Sequence, residues 1–375
     1  MYNVFRASTG WRQLPNLRKI GSIFSRNNAA SNRPQSSLLD RLRQGPLVDD
    51  LHELFRSETA DSERNFTPLA TSDSGDSKPT PGRPWAIIRQ VPVYTYTPLK
   101  SKSAFHLLRV TKGLVAPFQK SIHIELAEFP LGEAAPRYEA LSYRWSSSAG
   151  TQDIKCNDKQ FLITDSCKKA LEYLRSQHCW LWVDLICIDQ NNISEKGHQV
   201  RLMSQIYVNA QRTIVWLGED ADIDSNCLAD IGSAVSRLSR PPVKRLNPVD
   251  PWLRGKVRTP PASVDRFFRR EWFSRIWILQ EIALAKEVLS FCGAQLVSWK
   301  KCSAFLETLR KQQRLPLAWR SANNLMRFCS LYQSCRVNGG VDIAQALFQA
   351  RACDASDPRD KVYALYGVCR ALATS

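Results

Sequence analysis

Apolar positions are sparse and unphased through the first 90 residues, where Ser, Pro, Asn, Asp and Gly prevail apart from a short helical stretch at 47–55. So little regularly spaced apolar surface cannot offset the entropy of ordering, and residues 1–90 are predicted to be a disordered, basic and polar leader. From residue 91 the pattern changes. Alternating or β-branched runs at 106–110 and 121–129 predict two strands leading into a folded domain, and Pro130, Gly132 and Pro136 mark the loop after them. A short strand at 138–145 follows, then a hairpin of 152–156 and 160–164 turned at Asn157-Asp158. Asp165 or Ser166 can cap the next helix, whose stripe is Ala170, Leu171 and Leu174.

The apolar run at 180–188 reads as a buried strand. Asn192 and Glu195 have capping-box spacing ahead of a helix with Val200, Met203, Tyr207 and Ala210 on one face, and 213–217 is a further strand closed by Gly218. Residues 221–265 read as an insertion, Pro-rich and basic over 240–261. A helix is predicted over 267–285, a strand over 288–292 turned at Gly293, and a last strand over 296–299. Helical spacing prevails from residue 300; Asp357-Pro358-Arg359-Asp360 opens a final helix that Gly367 can end.

Strands alternating with helices imply parallel pairing through right-handed crossovers, hence an α/β fold: an open, mostly parallel sheet flanked by helices. The expected organisation is leader 1–90, entering strands 91–137, core 138–300 and a helical extension 301–375 that is expected to continue in a longer protein. Ligands of such sheets bind beyond the carboxyl ends of the strands. That rule selects 143–150, 184–190 and the loop after Leu217.

Charge and composition refine this picture modestly. Lys and Arg number 52 against 35 Asp and Glu, a formal net charge of +17, yet the charge is scattered except in the acid-free first 39 residues. That segment suits either a mitochondrial presequence or a solvated tail, and the dispersed remainder argues against a nucleic-acid partner. No apolar run is long enough to span a bilayer, so a soluble, cytoplasmic chain is expected. The 11 cysteines are odd in number and lack C-x-x-C spacing, which favours thiols over disulfides or zinc. Five dispersed histidines argue against a metal centre, and the P-loop, G-x-G-x-x-G, H-E-x-x-H and G-x-S-x-G motifs are absent.

Three blocks, in order, carry a resemblance. They are Tyr138-Glu-Ala-Leu-Ser-Tyr-Arg-Trp145; Leu181-Trp-Val-Asp-Leu-Ile-Cys-Ile-Asp-Gln190, continuing to Val215-Trp-Leu-Gly218; and Trp272-Phe-Ser-Arg-Ile-Trp-Ile-Leu-Gln-Glu281. Together they resemble the HET (heterokaryon incompatibility) domain of filamentous fungi, and Asp357-Pro-Arg-Asp-Lys-Val-Tyr-Ala-Leu-Tyr-Gly367 resembles a segment that often follows it. Arg144, Ser146 and Asp189 stand where that family usually has Val, Gly and Asn. The resemblance implies a role in nonself recognition and cell death, with self-association and an incompatibility partner.

A remoter resemblance is to TIR domains, in the order of the strands holding Leu141 to Tyr143, Trp182 to Asp184 and Ile214 to Leu217, and of a helix with Trp277 and Glu281. It implies a TIR-like or flavodoxin-like sheet and, as the alternative function, cleavage of NAD at its glycosidic bond. Glu281 is then the candidate catalytic carboxylate, beside an apolar helix face that would raise its pKa and suit it to stabilise a ribosyl cation. The other reading of Glu281 is a structural acid paired with Arg275, Arg144 or a backbone N–H. Ser142, Tyr143, Arg144, Trp145, Asp184, Arg275 and Trp277 complete the candidate crevice: Tyr143 and Trp145 as stacking surfaces, Arg275 as a phosphate partner, Asp184 as its organiser.

Overall fold

The computed structural model describes residues 92–369 apart from 112–120, 146–149, 175–178, 220–230, 232–259, 294, 336–340, 352, 356, 358 and 366. The leader 1–90, the loop at 146–149 and most of the insertion at 221–265 lie outside the described residues.

Nine strands form one mixed sheet in the order β5-β4-β2-β1-β6-β3-β7-β8-β9. They are β1 (Ala104–Thr111), β2 (His123–Pro130), β3 (Tyr138–Tyr143), β4 (Gln152–Cys156), β5 (Lys159–Ile163), β6 (Trp180–Trp182), β7 (Thr213–Trp216), β8 (Val288–Cys292) and β9 (Gln295–Val297). The central four, β6-β3-β7-β8, are all parallel. Their order is the 2-1-3-4 order of flavodoxin-like sheets, with the strand direction of travel reversing beside β3. Parallel pairing is thus confined mainly to this centre. Antiparallel hairpins flank it: β1 and β2 pair over eight residues, β4 and β5 pair around Asn157 and Asp158, and β8 returns as β9. Asn157 (φ 48°) and Asp158 (φ 63°) both take the left-handed conformation that a tight hairpin turn demands and that Asn and Asp tolerate.

All six residues of β3 are buried because helices cover both faces of the sheet. On one face lies α1 (Asp165–Leu174), whose Cys167, Ala170, Leu171 and Leu174 are buried. The hydroxyl of Thr164, one residue before the expected caps, accepts from the Cys167 N–H. On the other face lie α3 (Ile193–Asn209) and α5 (Ile278–Ala283). Tyr138 of β3 donates to the Ile206 carbonyl of α3 at 2.7 Å. Asn192 caps α3 by accepting from the Glu195 N–H, but the Glu195 carboxylate reaches the Asp189 N–H instead of closing the expected box.

Two predicted elements are corrected. The run 180–188 is a three-residue strand followed by the helix α2 (Asp184–Cys187). A continuous apolar stretch has no periodicity to separate a buried strand from a buried helix. Here the Val183 carbonyl accepts from the N–H groups of Ile186 and Cys187, so the backbone turns. The second correction is the single helix expected over 267–285. It is instead α4 (Ala262–Phe268), a 3-10 turn (Glu271–Ser274), an extended Arg275 and then α5. The break has a distant cause: Ile276 N–H donates to Asp354 O at 3.0 Å and Asp354 N–H to Ser274 O at 2.6 Å.

The helical part comprises α4, α6 (Trp299–Lys311), α7 (Arg320–Cys335), α8 (Ile343–Ala350) and α9 (Asp360–Tyr363). α4 begins inside the stretch expected as an insertion, yet it is core: Phe268 stacks on Phe305 of α6 at 5.8 Å, and Asp265 accepts from the Trp319 indole at 2.9 Å. Buried apolar side chains run without interruption from the sheet into these helices. No helix of the described residues is long and apolar enough to cross a membrane.

Candidate functional site

β3 alternates its side chains between the two helical layers, which separates two neighbouring candidates. Ser142 faces α5 and meets Glu281; Tyr143 faces α1 and meets Cys167, buried in the core. Tyr143 therefore offers no ring for stacking. Its carbonyl is what serves the site, accepting from Arg275.

Glu281 is the centre of the arrangement and is 1% exposed. One carboxylate oxygen accepts from the Ser142 hydroxyl, and the Arg275 guanidinium lies 3.8 Å from the other. Ser142 in turn accepts from the Trp272 indole N–H at 3.0 Å, and the Thr213 hydroxyl donates to the Glu281 carbonyl at 3.2 Å. Burial pushes the Glu281 carboxyl above its ordinary range, and Arg275 and then Ser142 pull it back. A carboxylate held this way has the electrostatics of a general acid or cation stabiliser, and also those of a structural buried ion pair.

Asp184 opens α2 rather than interrupting a strand. Its carboxylate accepts from its neighbour Leu185 N–H at 2.8 Å and from the Trp145 indole N–H at 3.2 Å to each oxygen. Burial raises its pKa as well, opposed first by Arg275. Gln190 holds the same turn by donating to the Asp184 carbonyl at 2.8 Å. Arg275 is thus the shared counter-charge of two buried carboxyls, and the backbone of Asp354 pairs with Ser274 and Ile276 on either side of this extended residue.

The remaining candidates divide. Trp145 is half-buried and belongs to the Asp184 side. Arg144 points outward and pairs with Glu271 at the surface, both side chains well exposed. Trp277 turns away from Ser142 toward Asp360, whose carboxyl is raised to about 6 by burial, with a weaker lowering pull from the Trp277 indole.

Several contributors escaped the sequence reading. Arg270 caps the carboxyl end of β7, donating to Leu217 O at 2.6 Å and Glu219 O at 3.0 Å. Trp272 and Thr213 orient Ser142 and Glu281. Asp354 and Asp360 arrive from the segment after α8. For Asp360 the signal was present, since an acid set among apolar residues needs a buried partner; Asp354 is exposed and acts through its backbone, for which the sequence offers no signal. Among the described residues, no group of three or more His, Cys, Asp or Glu is arranged to hold a metal.

Comparison with known proteins agrees with the motif blocks. Residues 138–281 match the family described as Heterokaryon incompatibility protein (HET). Heterokaryon incompatibility protein 6, OR allele, of Neurospora crassa is 32% identical over 214 residues, which cover 47% of this chain. The chain spans 31% of that relative's length. No solved structure matches. The matched segment begins at the first residue of β3 and ends on Glu281, so it encloses the Ser142, Asp184, Trp272 and Arg275 network, and it is this segment that is similar to HET domains.

Proposed function

We propose that this chain acts in fungal heterokaryon incompatibility, as a cytoplasmic HET-domain protein that contributes to nonself recognition and signals cell death by associating with itself and with an incompatibility partner. The observation that carries this reading is the 138–281 match, whose three blocks meet in one closed network around Glu281. Every charge of that network has its partner within the chain, which suits a rigid module that presents surfaces to other proteins. The test is expression of the intact chain in a filamentous fungus, counting dead hyphal compartments by exclusion dye. Death is expected with the wild type and reduced with Arg275→Ala. A folded, abundant chain that leaves hyphae healthy would sink the proposal.

A second reading, cleavage of NAD or a related nucleotide at the glycosidic bond by a TIR-like site, draws on one specific feature. Glu281 combines a raised pKa with a place near the strand-order reversal where such sheets bind ligands. For this chemistry Ser142 and Arg275 must swing aside, leaving the carboxylate to face the ribosyl cation. Incubating the chain with NAD and measuring nicotinamide release, for wild type and Glu281→Gln, separates the readings. Release abolished by the substitution favours the enzyme; no release favours recognition.

A further inference from the structure

The outer face of α7 carries arginines where a stable helix surface ordinarily mixes signs. Arg320 and Arg327 are seven residues apart, two turns along one face, with Asn324 between them; Arg320 is exposed and Arg327 half-buried. α7 packs against α8, and Arg351 follows α8 as its C-cap residue. The Arg351 guanidinium lies 3.6 Å over the Phe348 ring and donates to the Phe348 carbonyl, so its position is set before any ligand arrives.

Among the described residues none of the three arginines forms an ion pair within 4.0 Å. Glu307, the acid whose field reaches Arg327, is held by Arg310 at 2.7 Å and has Lys311 at 3.8 Å. Burial first, and then the like charges of Arg320 and Arg327, lower the Arg351 pKa. Three like charges gathered on packed helices cost free energy that an anion would relieve. Guanidinium groups present planar forked donors, which match the paired oxygens of a phosphate group.

We propose that Arg320, Arg327 and Arg351 form a binding site for a phosphate-bearing ligand on the α7–α8 face, separate from the Glu281 network. Arg351 lies three residues before Asp354, whose backbone holds Ser274 and Ile276 on either side of Arg275. An anion on Arg351 therefore also steadies the segment that keeps Arg275 extended.

The experiment uses the intact chain and inorganic pyrophosphate as probe, at ionic strength held constant with chloride, reading the thermal unfolding midpoint. A saturable rise is expected, with the half-saturating concentration increased at least fivefold in Arg320→Gln and in Arg351→Gln, and unchanged in Arg310→Gln, whose partner is Glu307. Arg320 is exposed, so its variant reports on binding even where Arg351→Gln fails to fold. An identical rise with chloride alone, or full retention of the pyrophosphate effect in Arg320→Gln, overturns the site. Tighter binding of a polyglutamate peptide than of pyrophosphate overturns the phosphate assignment.

Discussion

The sheet-bearing part and the helical part bury different chemistry, although they share one core. Around β3 and its neighbours the interior holds Glu139, Ser142, Asp184, Glu195, Lys196, Gln199, Thr213, Gln280 and Glu281, most of them hydrogen-bonded or ion-paired. From α6 onward the buried polar side chains among the described residues are Asn323 and Asp360, set among Phe305, Leu306, Leu309, Trp319, Phe328 and Leu347. A buried carboxylate specifies its partner by identity and geometry, whereas an apolar helix face specifies mainly volume and shape. The family match stops at Glu281, while the physical core continues to Cys369.

The largest effect should come from Arg275→Ala. It removes the counter-charge of Glu281 and Asp184 together with the donor to the Tyr143 carbonyl. Breaking a buried pair from one side costs about 3–5 kcal/mol, and the 20% exposure of Arg275 places this case near the lower end. The volume-conserving Leu309→Met in α6 should cost less than about 1.5 kcal/mol. Urea denaturation of both variants checks the contrast, and equal losses would break it.

Asp360 is the polar exception in the helical part, and it has a pH signature. Its folded carboxyl is pushed up to about 6, from an ordinary 3.8. The folded state therefore holds this proton more tightly than the unfolded chain. The contribution is fullest below about pH 4 and is lost as pH rises through about 6. A shift of about two units corresponds to roughly 2–3 kcal/mol. Glu281 and Asp184, also raised, act in the same direction, while Asp357, lowered chiefly through Arg359, acts in the opposite one. Asp360→Asn should be more stable than wild type near pH 7.5 and lose that advantage near pH 4.5. Paired unfolding curves at the two pH values measure it, and a pH-independent difference would count against the buried carboxyl.

The two parts meet closely at Gly367. A Cβ there would stand 2.2 Å from the Ser204 Cβ and 3.3 Å from Leu284 Cδ1. Overpacking of this kind costs typically 1–3 kcal/mol, so Gly367→Ala should lower the thermal midpoint by several degrees. An unchanged midpoint would mean that this contact does not join the two parts tightly.

Legibility followed the same division. The hairpin at Asn157-Asp158, the strand β8 and the helix α3 were readable because their turn chemistry and periodicity are local. The parallel pairing at the sheet centre followed from the alternation of strands and helices, whereas its 2-1-3-4 order was not fixed by that alternation. What escaped was set by distant backbone: the break at Arg275 depends on Asp354, 79 residues onward, and no local pattern announces it. The candidate site was legible in its members, since Glu281, Ser142, Arg275, Asp184 and Trp145 do converge. It was not legible in their orientation: Tyr143 turns to the core, Arg144 to solvent and Trp277 to Asp360.

Arg144 supplies the smallest effect and the sharpest reading of a motif departure. It stands where the resemblance implies Val, immediately after a strand whose every residue is buried, so a tuned role in the site would be the natural inference. Its actual partner is Glu271, and the two side chains are 49% and 63% exposed. At that exposure solvent screens the attraction, and ordering two long side chains offsets most of what remains. Arg144→Val should therefore change stability by no more than about 0.5 kcal/mol, with the difference shrinking further in 0.5 M salt. Urea midpoints at low and high salt decide this. A salt-insensitive loss of about 2 kcal/mol would mean that Arg144 reaches inward to Asp184 or Glu281, and that the polar network extends one residue past the end of β3.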